Sequence, residues 1–215
     1  MGARWRSGCR PAVASCCASS TSARVNCCLT RSRRPRAATS RGAWAAPDDF
    51  IAAAEFLVKR GDTQPSLLGL LGRGDGARVV GVALTRRPDL FRAAVLVDGR
   101  YDLLGSEREP DGEVDVPQDR AQFDALVAAS PLRAVRDGGD YPALLLLAGE
   151  GDGRVDPAQS RKMAARLQQA DPNGRAILFL TDKSSGPSTQ ASLARGVDRA
   201  TDVLGFLLHE IVAAQ

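Results

Sequence analysis

The chain has 215 residues, 44% of them hydrophobic and 25% charged, enough for one domain with a sizeable core. No run of about 18 apolar residues occurs, so no membrane-spanning helix and no membrane partner are expected. Residues 1–47 hold nine Arg, no Asp or Glu and all five Cys, whereas the remainder carries all 25 acids and 20 bases, a net charge of −5; the basic balance belongs to the N-terminal segment, and nucleic acid is not an expected partner.

Residues 1–46 read as a basic Cys/Arg/Ser-rich leader, set apart from a domain spanning 47–215. Three readings suit the leader: a targeting segment, since it is Arg- and Ser-rich and acid-free; a disordered basic tail; or residues that are not a natural part of the protein. Its most apolar stretch, 11–18, is a weak signal-peptide core, and no helical or strand periodicity is evident. Cytoplasm is the expected compartment, with an N-terminal targeting segment as the alternative. Cys9, Cys16, Cys17, Cys27 and Cys28 include two adjacent pairs, which lack the C-x₂-C spacing of zinc sites. No metal or other cofactor is expected.

From Pro47 the pattern changes. Asp48 is a suitable N-cap, and Phe50, Ala53, Ala54, Leu57 and Val58 recur at helical spacing up to Gly61. The run 67–71 is a short strand, broken by Gly72, Gly74 and Gly76. A helix follows through Val79, Val80, Val82, Ala83 and Leu84 and stops before Pro88. Residues 93–97 read as a buried strand, 105–120 as a polar acidic loop, and 123–134 as a helix interrupted near Pro131. Residues 143–148 form a second buried strand. Asp156 and Pro157 then mark a clean start for a helix over 157–170. A strand over 176–180, a polar loop over 182–192 and a helix over 201–212 complete the chain, with Val203, Leu207, Leu208 and Ile211 on one helical face. Short apolar strands alternating with helices specify an α/β fold, a parallel sheet covered on both faces. Such sheets carry their functional loops at the carboxyl ends of the strands.

The first of those loops, Leu71-Gly72-Arg73-Gly74-Asp75-Gly76, has the spacing of a G-x-S-x-G nucleophile elbow, in which small neighbours let a strained turn lift the nucleophile above the sheet. Gly74 occupies the apex. The tripeptide Arg73-Gly74-Asp75 also spells an integrin-binding sequence; inside a tight turn it reads as part of the elbow. Glu150, Asp152 and Asp156 cluster in another strand-end loop and read as solvated acids and a helix cap.

Pro47-Asp-Asp-Phe, Ala52-Ala-Ala-Glu-Phe-Leu, the elbow, and the stretch from Ala83 to Phe91 resemble consecutive pieces of the prolyl oligopeptidase catalytic domain. Ser130-Pro-Leu, Tyr141-Pro-Ala-Leu and Gly151-Asp-Gly-Arg-Val-Asp-Pro continue the resemblance in order, from about Pro47 to the C-terminus. It implies an α/β-hydrolase fold and a serine peptidase ancestry. It places the family's nucleophilic serine on Gly74, the triad aspartate on Asp152, a substrate-contacting arginine on Arg154 and the triad histidine on Pro187, or on Gly186 with a one-residue shift. One oxyanion donor is implied to be the backbone N–H of Asp75; the second is a tyrosine from upstream strands that this chain lacks, and Tyr101 and Tyr141 align elsewhere.

Glycine cannot attack a carbonyl and proline cannot take a proton. The sole histidine, His209, reads as an exposed or half-buried helix residue. Losing nucleophile or base costs roughly 10⁶ in turnover. The expectation is therefore an inactive homologue of a prolyl oligopeptidase-type peptidase. Two alternatives stand beside it: a hydrolase using Ser184, Ser185 or Ser188, and a binding protein that takes peptides in the former cleft, with Arg154 as the grip. With upstream strands missing, 67–71 is expected to be a sheet edge and a route to self-association.

Overall fold

The computed structural model describes residues 12–17, 26–27, 41–104, 117, 119–150, 155–182 and 193–212. In chain order these form β1 (Ala12–Cys17), β2 (Asn26–Cys27), α1 (Arg41–Arg60), β3 (Leu68–Arg73), α2 (Asp75–Arg86), β4 (Ala93–Val97), α3 (Arg120–Ala129), α4 (Pro131–Ala134), β5 (Ala143–Gly149), α5 (Pro157–Ala170), β6 (Ile177–Asp182) and α6 (Leu193–Val212). The six strands make one sheet in the order β2-β1-β3-β4-β5-β6. All neighbours are parallel except the β1–β2 pair.

Period-two alternation divides the core between the two faces. Ala94 and Leu96 of β4 and Leu144 and Leu146 of β5 face α1, α2 and α5, where they meet Phe50, Val80, Leu84, Met163 and Leu167. Ala93, Val95, Val97, Leu145 and Leu147 face α6, where they meet Val203 and Leu207. β4 and β5 are buried over their whole length, which is why they read as unbroken apolar runs.

Several expectations are corrected. The strand after Leu67 is not an edge: β1 runs parallel along all of it, from Ala12 opposite Leu68 to Cys17 opposite Arg73. Residues 12–17 and 26–27 therefore lie in the same sheet as the rest, although the leader was expected to stay outside it. Six residues of small and apolar character suffice for a strand, a length at which periodicity carries almost no signal. The first helix begins at Arg41 with Pro47 inside it, so Asp48 does not cap it; its carboxylate instead accepts from Arg86 Nη1 at 2.7 Å. α6 starts at Leu193 rather than near 201. Leu208 leaves the buried face of that helix and is 61% exposed, because it lies about 100° around the axis from Leu207. β6 is the outer strand, and Leu178 and Leu180 on one of its faces are exposed.

Candidate functional site

β3 stops at Arg73 and α2 starts at Asp75, so the turn between them is the single residue Gly74. Its φ of 56° and ψ of −124° lie where a side chain is strained and glycine is not. Its N–H donates to the carbonyl of Val97 at 2.9 Å, tying the turn to the end of β4, and its carbonyl accepts from Ala77 N at 3.0 Å to begin the helix. A Cβ at Gly74 would meet no atom of the described residues within 4 Å. At Gly72 the reverse holds: a Cβ would sit 2.6 Å from the Gly76 carbonyl oxygen and 2.7 Å from Ala77 Cα. Strand and helix touch there backbone to backbone, which only glycine permits. The turn is thus an elbow with a tightly packed base and an open apex.

Asp75 opens α2, and its backbone N–H is among those that helix geometry leaves without an internal acceptor. Its carboxylate, half-exposed, lies 3.6 Å from Arg100 Nη2. Asp152 and Arg154 fall between β5 and α5, and Pro187 between β6 and α6; these three lie outside the described residues, as do Ser184, Ser185 and Ser188. The segments that carry them leave the carboxyl ends of β5 and β6, the same edge of the sheet from which the elbow leaves β3. The neighbouring acids have structural work. Asp156 accepts from Ala158 N at 2.8 Å as the cap of α5, and Glu150 lies 4.0 Å from Arg161.

His209 is exposed, in the last turn of α6. Two contacts orient that helix. Arg199 reaches Asp98 at the carboxyl end of β4, and Arg92, which precedes β4, donates to the carbonyl of Glu210 at 3.0 Å. The ten residues from Arg199 to His209 span about 15 Å and carry His209 to the amino edge, away from the elbow. It is no base for this site. Tyr141 is committed elsewhere, its hydroxyl accepting from Arg136 N at 2.7 Å and donating to Arg136 O at 3.1 Å. Tyr101 is fully buried. Its hydroxyl lies beside Ser160 and the Gly99 backbone, outside strict hydrogen-bond geometry, and burial holds its ionisation above the usual phenol range.

Asp98 is the residue that the sequence reading missed. It follows β4 directly, is 4% exposed, and has a φ of +49°, the only positive value among the described non-glycine residues. An acid at the carboxyl end of an unbroken apolar strand and followed by Gly99 was the available signal.

The fold and the elbow set the context for comparison with known proteins. The sequence profile of the Prolyl oligopeptidase family matches residues 39–213. The chain belongs to the prolyl oligopeptidase family. It is 35% identical over 170 residues to a prolyl endopeptidase of Dictyostelium discoideum, covering 74% of this chain and 22% of that protein. It is 32% identical over 170 residues to the prolyl endopeptidase of Elizabethkingia meningoseptica, covering 76% and 24%. Among solved structures, prolyl oligopeptidase B of Galerina marginata, bound to a 35-residue substrate of hydrolysis and macrocyclisation, superposes with a TM-score of 0.71 at 33% identity, over 77% of this chain and 24% of that one. Oligopeptidase B of Leishmania major gives 0.69 at 27% identity, over 78% and 24%. The chain spans about a quarter of the length of these relatives, and the α/β-hydrolase fold implied by its sequence is the fold of their catalytic domains.

Proposed function

We propose that this member of the prolyl oligopeptidase family does not hydrolyse peptide bonds and that its former cleft serves to bind peptides. The observation that carries the reading is Gly74, which stands at the apex of a fully formed elbow where a Cβ would meet no atom of the described residues. An elbow without its hydroxyl keeps the backbone N–H that follows the apex but has no atom to form an acyl intermediate. Pro187 at the triad histidine position removes the general base as well. His209, at the other end of the sheet, does not replace it. Asp152 and Arg154 are the retained members of the site, with Arg154 suited to a bidentate grip on a peptide carbonyl or carboxylate.

Two measurements separate the parts of this reading. A fluorophosphonate probe and a chromogenic proline-containing peptide should both give no reaction above background; turnover that vanishes in Asp152→Ala would refute the loss of hydrolysis. Titration calorimetry with a proline-containing peptide should give saturable heat that Arg154→Ala weakens. Absence of heat would leave a non-hydrolytic domain without the binding role.

A further inference from the structure

We infer that Asp98 is a positioning residue that clamps together the three segments leaving the carboxyl edge of the sheet. Its carboxylate is almost wholly buried, with 5% side-chain exposure. Oδ1 accepts from Gly149 N at 3.3 Å, where the chain leaves β5 towards Asp152. Oδ2 lies 3.5 Å from Arg199 Nη1, in the early turns of α6 and just after the segment that holds Pro187. Oδ2 also lies 4.0 Å from Arg73 Nε, on the elbow residue before Gly74. The backbone joins in: Asp98 N donates to Leu147 O at 2.9 Å, and Gly74 N to Val97 O at 2.9 Å.

The backbone conformation argues that the side chain earns its place. A φ of +49° disfavours every residue except glycine, with aspartate and asparagine tolerated best. Glycine would relieve the strain but would supply no carboxylate. A buried charge is itself unfavourable unless opposite charge and hydrogen-bond donors meet it; here a backbone N–H of β5 and arginines from β3 and α6 meet it at once. Arg73 and Arg199 are 51% and 26% exposed along their side chains, so each arm reaches in from the rim and closes over the carboxylate. The clamp holds the edge in register without any hydrogen bond from a nucleophile or a histidine, and it stands whether or not the cleft binds peptides.

Hydrogen exchange of the full chain, read segment by segment by mass spectrometry, tests the clamp. Asp98→Gly releases all three arms while relaxing the backbone; exchange in 73–76, 149–156 and 193–199 should each rise about tenfold or more. Asp98→Asn keeps the acceptor for Gly149 and loses the charge, so it should restore the 149–156 rate to within about twofold of the unaltered chain while 193–199 stays fast. Arg199→Gln should speed up 193–199 alone, and Arg73→Gln should speed up 73–76 alone. These two changes lie at the rim and report even where the Asp98 variants fail to fold. Unchanged rates in the Arg variants, or one common factor across β4, β5 and all three segments in Asp98→Gly, would overturn the inference.

Discussion

Returning a serine to the elbow is the sharpest perturbation of this molecule. Gly74→Ser places its Cβ where no atom of the described residues lies within 4 Å, so none of them clashes with that atom. The loss of stability comes from the backbone alone. At φ 56° and ψ −124° a non-glycine residue is strained by about 1–3 kcal/mol. The smaller conformational freedom of serine in the unfolded chain offsets about 0.4–1 kcal/mol of this. The net loss is then about 1–2 kcal/mol, which in a domain of this size lowers Tm by about 2–8 °C. Thermal and urea unfolding of Gly74→Ser beside Gly74→Ala measures it. Both variants share the backbone penalty and should fall together, within about 0.5 kcal/mol of each other. A serine variant as stable as the original chain would show that the turn relaxes out of the elbow and would remove the geometric basis of the site. On the proposed reading, with Pro187 at the position of the base, hydrolysis should remain absent in the single variant. Gly74→Ser with Pro187→His is the fairer rescue, since it returns both a nucleophile and a base to their proposed positions.

Gly72→Ala drives a methyl into the Gly76 carbonyl and Ala77 Cα and should cost about 1–3 kcal/mol; urea unfolding at a loss below about 0.5 kcal/mol would mean that strand and helix separate easily. Asp156→Ala removes the acceptor for Ala158 N and should cost about 1 kcal/mol, against a few tenths for Asp156→Gly; equal losses in denaturant titrations would deny the cap. Tyr101→Phe deletes a buried hydroxyl that lies beside Ser160 and the Gly99 backbone but meets no hydrogen-bond geometry among the described residues, so stability at pH 7 should change by no more than about 1 kcal/mol. Burial raises the ionisation of Tyr101 when folded, so its stabilising share is complete below about pH 10, the unfolded value, and is lost as pH rises beyond that. The phenylalanine variant should therefore resist alkaline unfolding better, as melts at pH 7 and pH 11 would show; an equal fall in both would contradict the assignment.

Legibility in the sequence followed the amount of burial. β4 and the Asp156–Pro157 start of α5 were readable to the residue, because total burial makes an uninterrupted apolar run and a cap followed by proline has few other meanings. The elbow was readable from three glycines at alternate positions; the geometry gives Gly72 and Gly74 distinct reasons, a close backbone contact and a positive φ. β1 was not readable: Ala12, Val13, Ala14, Ser15, Cys16 and Cys17 form too short and too mild a run to stand out from an Arg-rich background. The start of α6 was hidden because Val197 faces outward, 56% exposed, and Ala194, Gly196 and Asp198 beside it are exposed as well. Asp98 escaped because a single acid after a strand looks like the start of any loop; only a positive φ and convergent arginines distinguish it.

The outer strand has a colloidal consequence. Leu178 and Leu180 line the open face of β6, at 46% and 45% exposure, while Leu204, Leu208 and Val212 lie bare along α6. A surface so furnished attracts its own kind as water is made a poorer solvent for hydrocarbon. Ammonium sulfate, which strengthens the exclusion of apolar surface, should therefore salt this chain out early, and Leu180→Lys should raise that threshold without moving Tm.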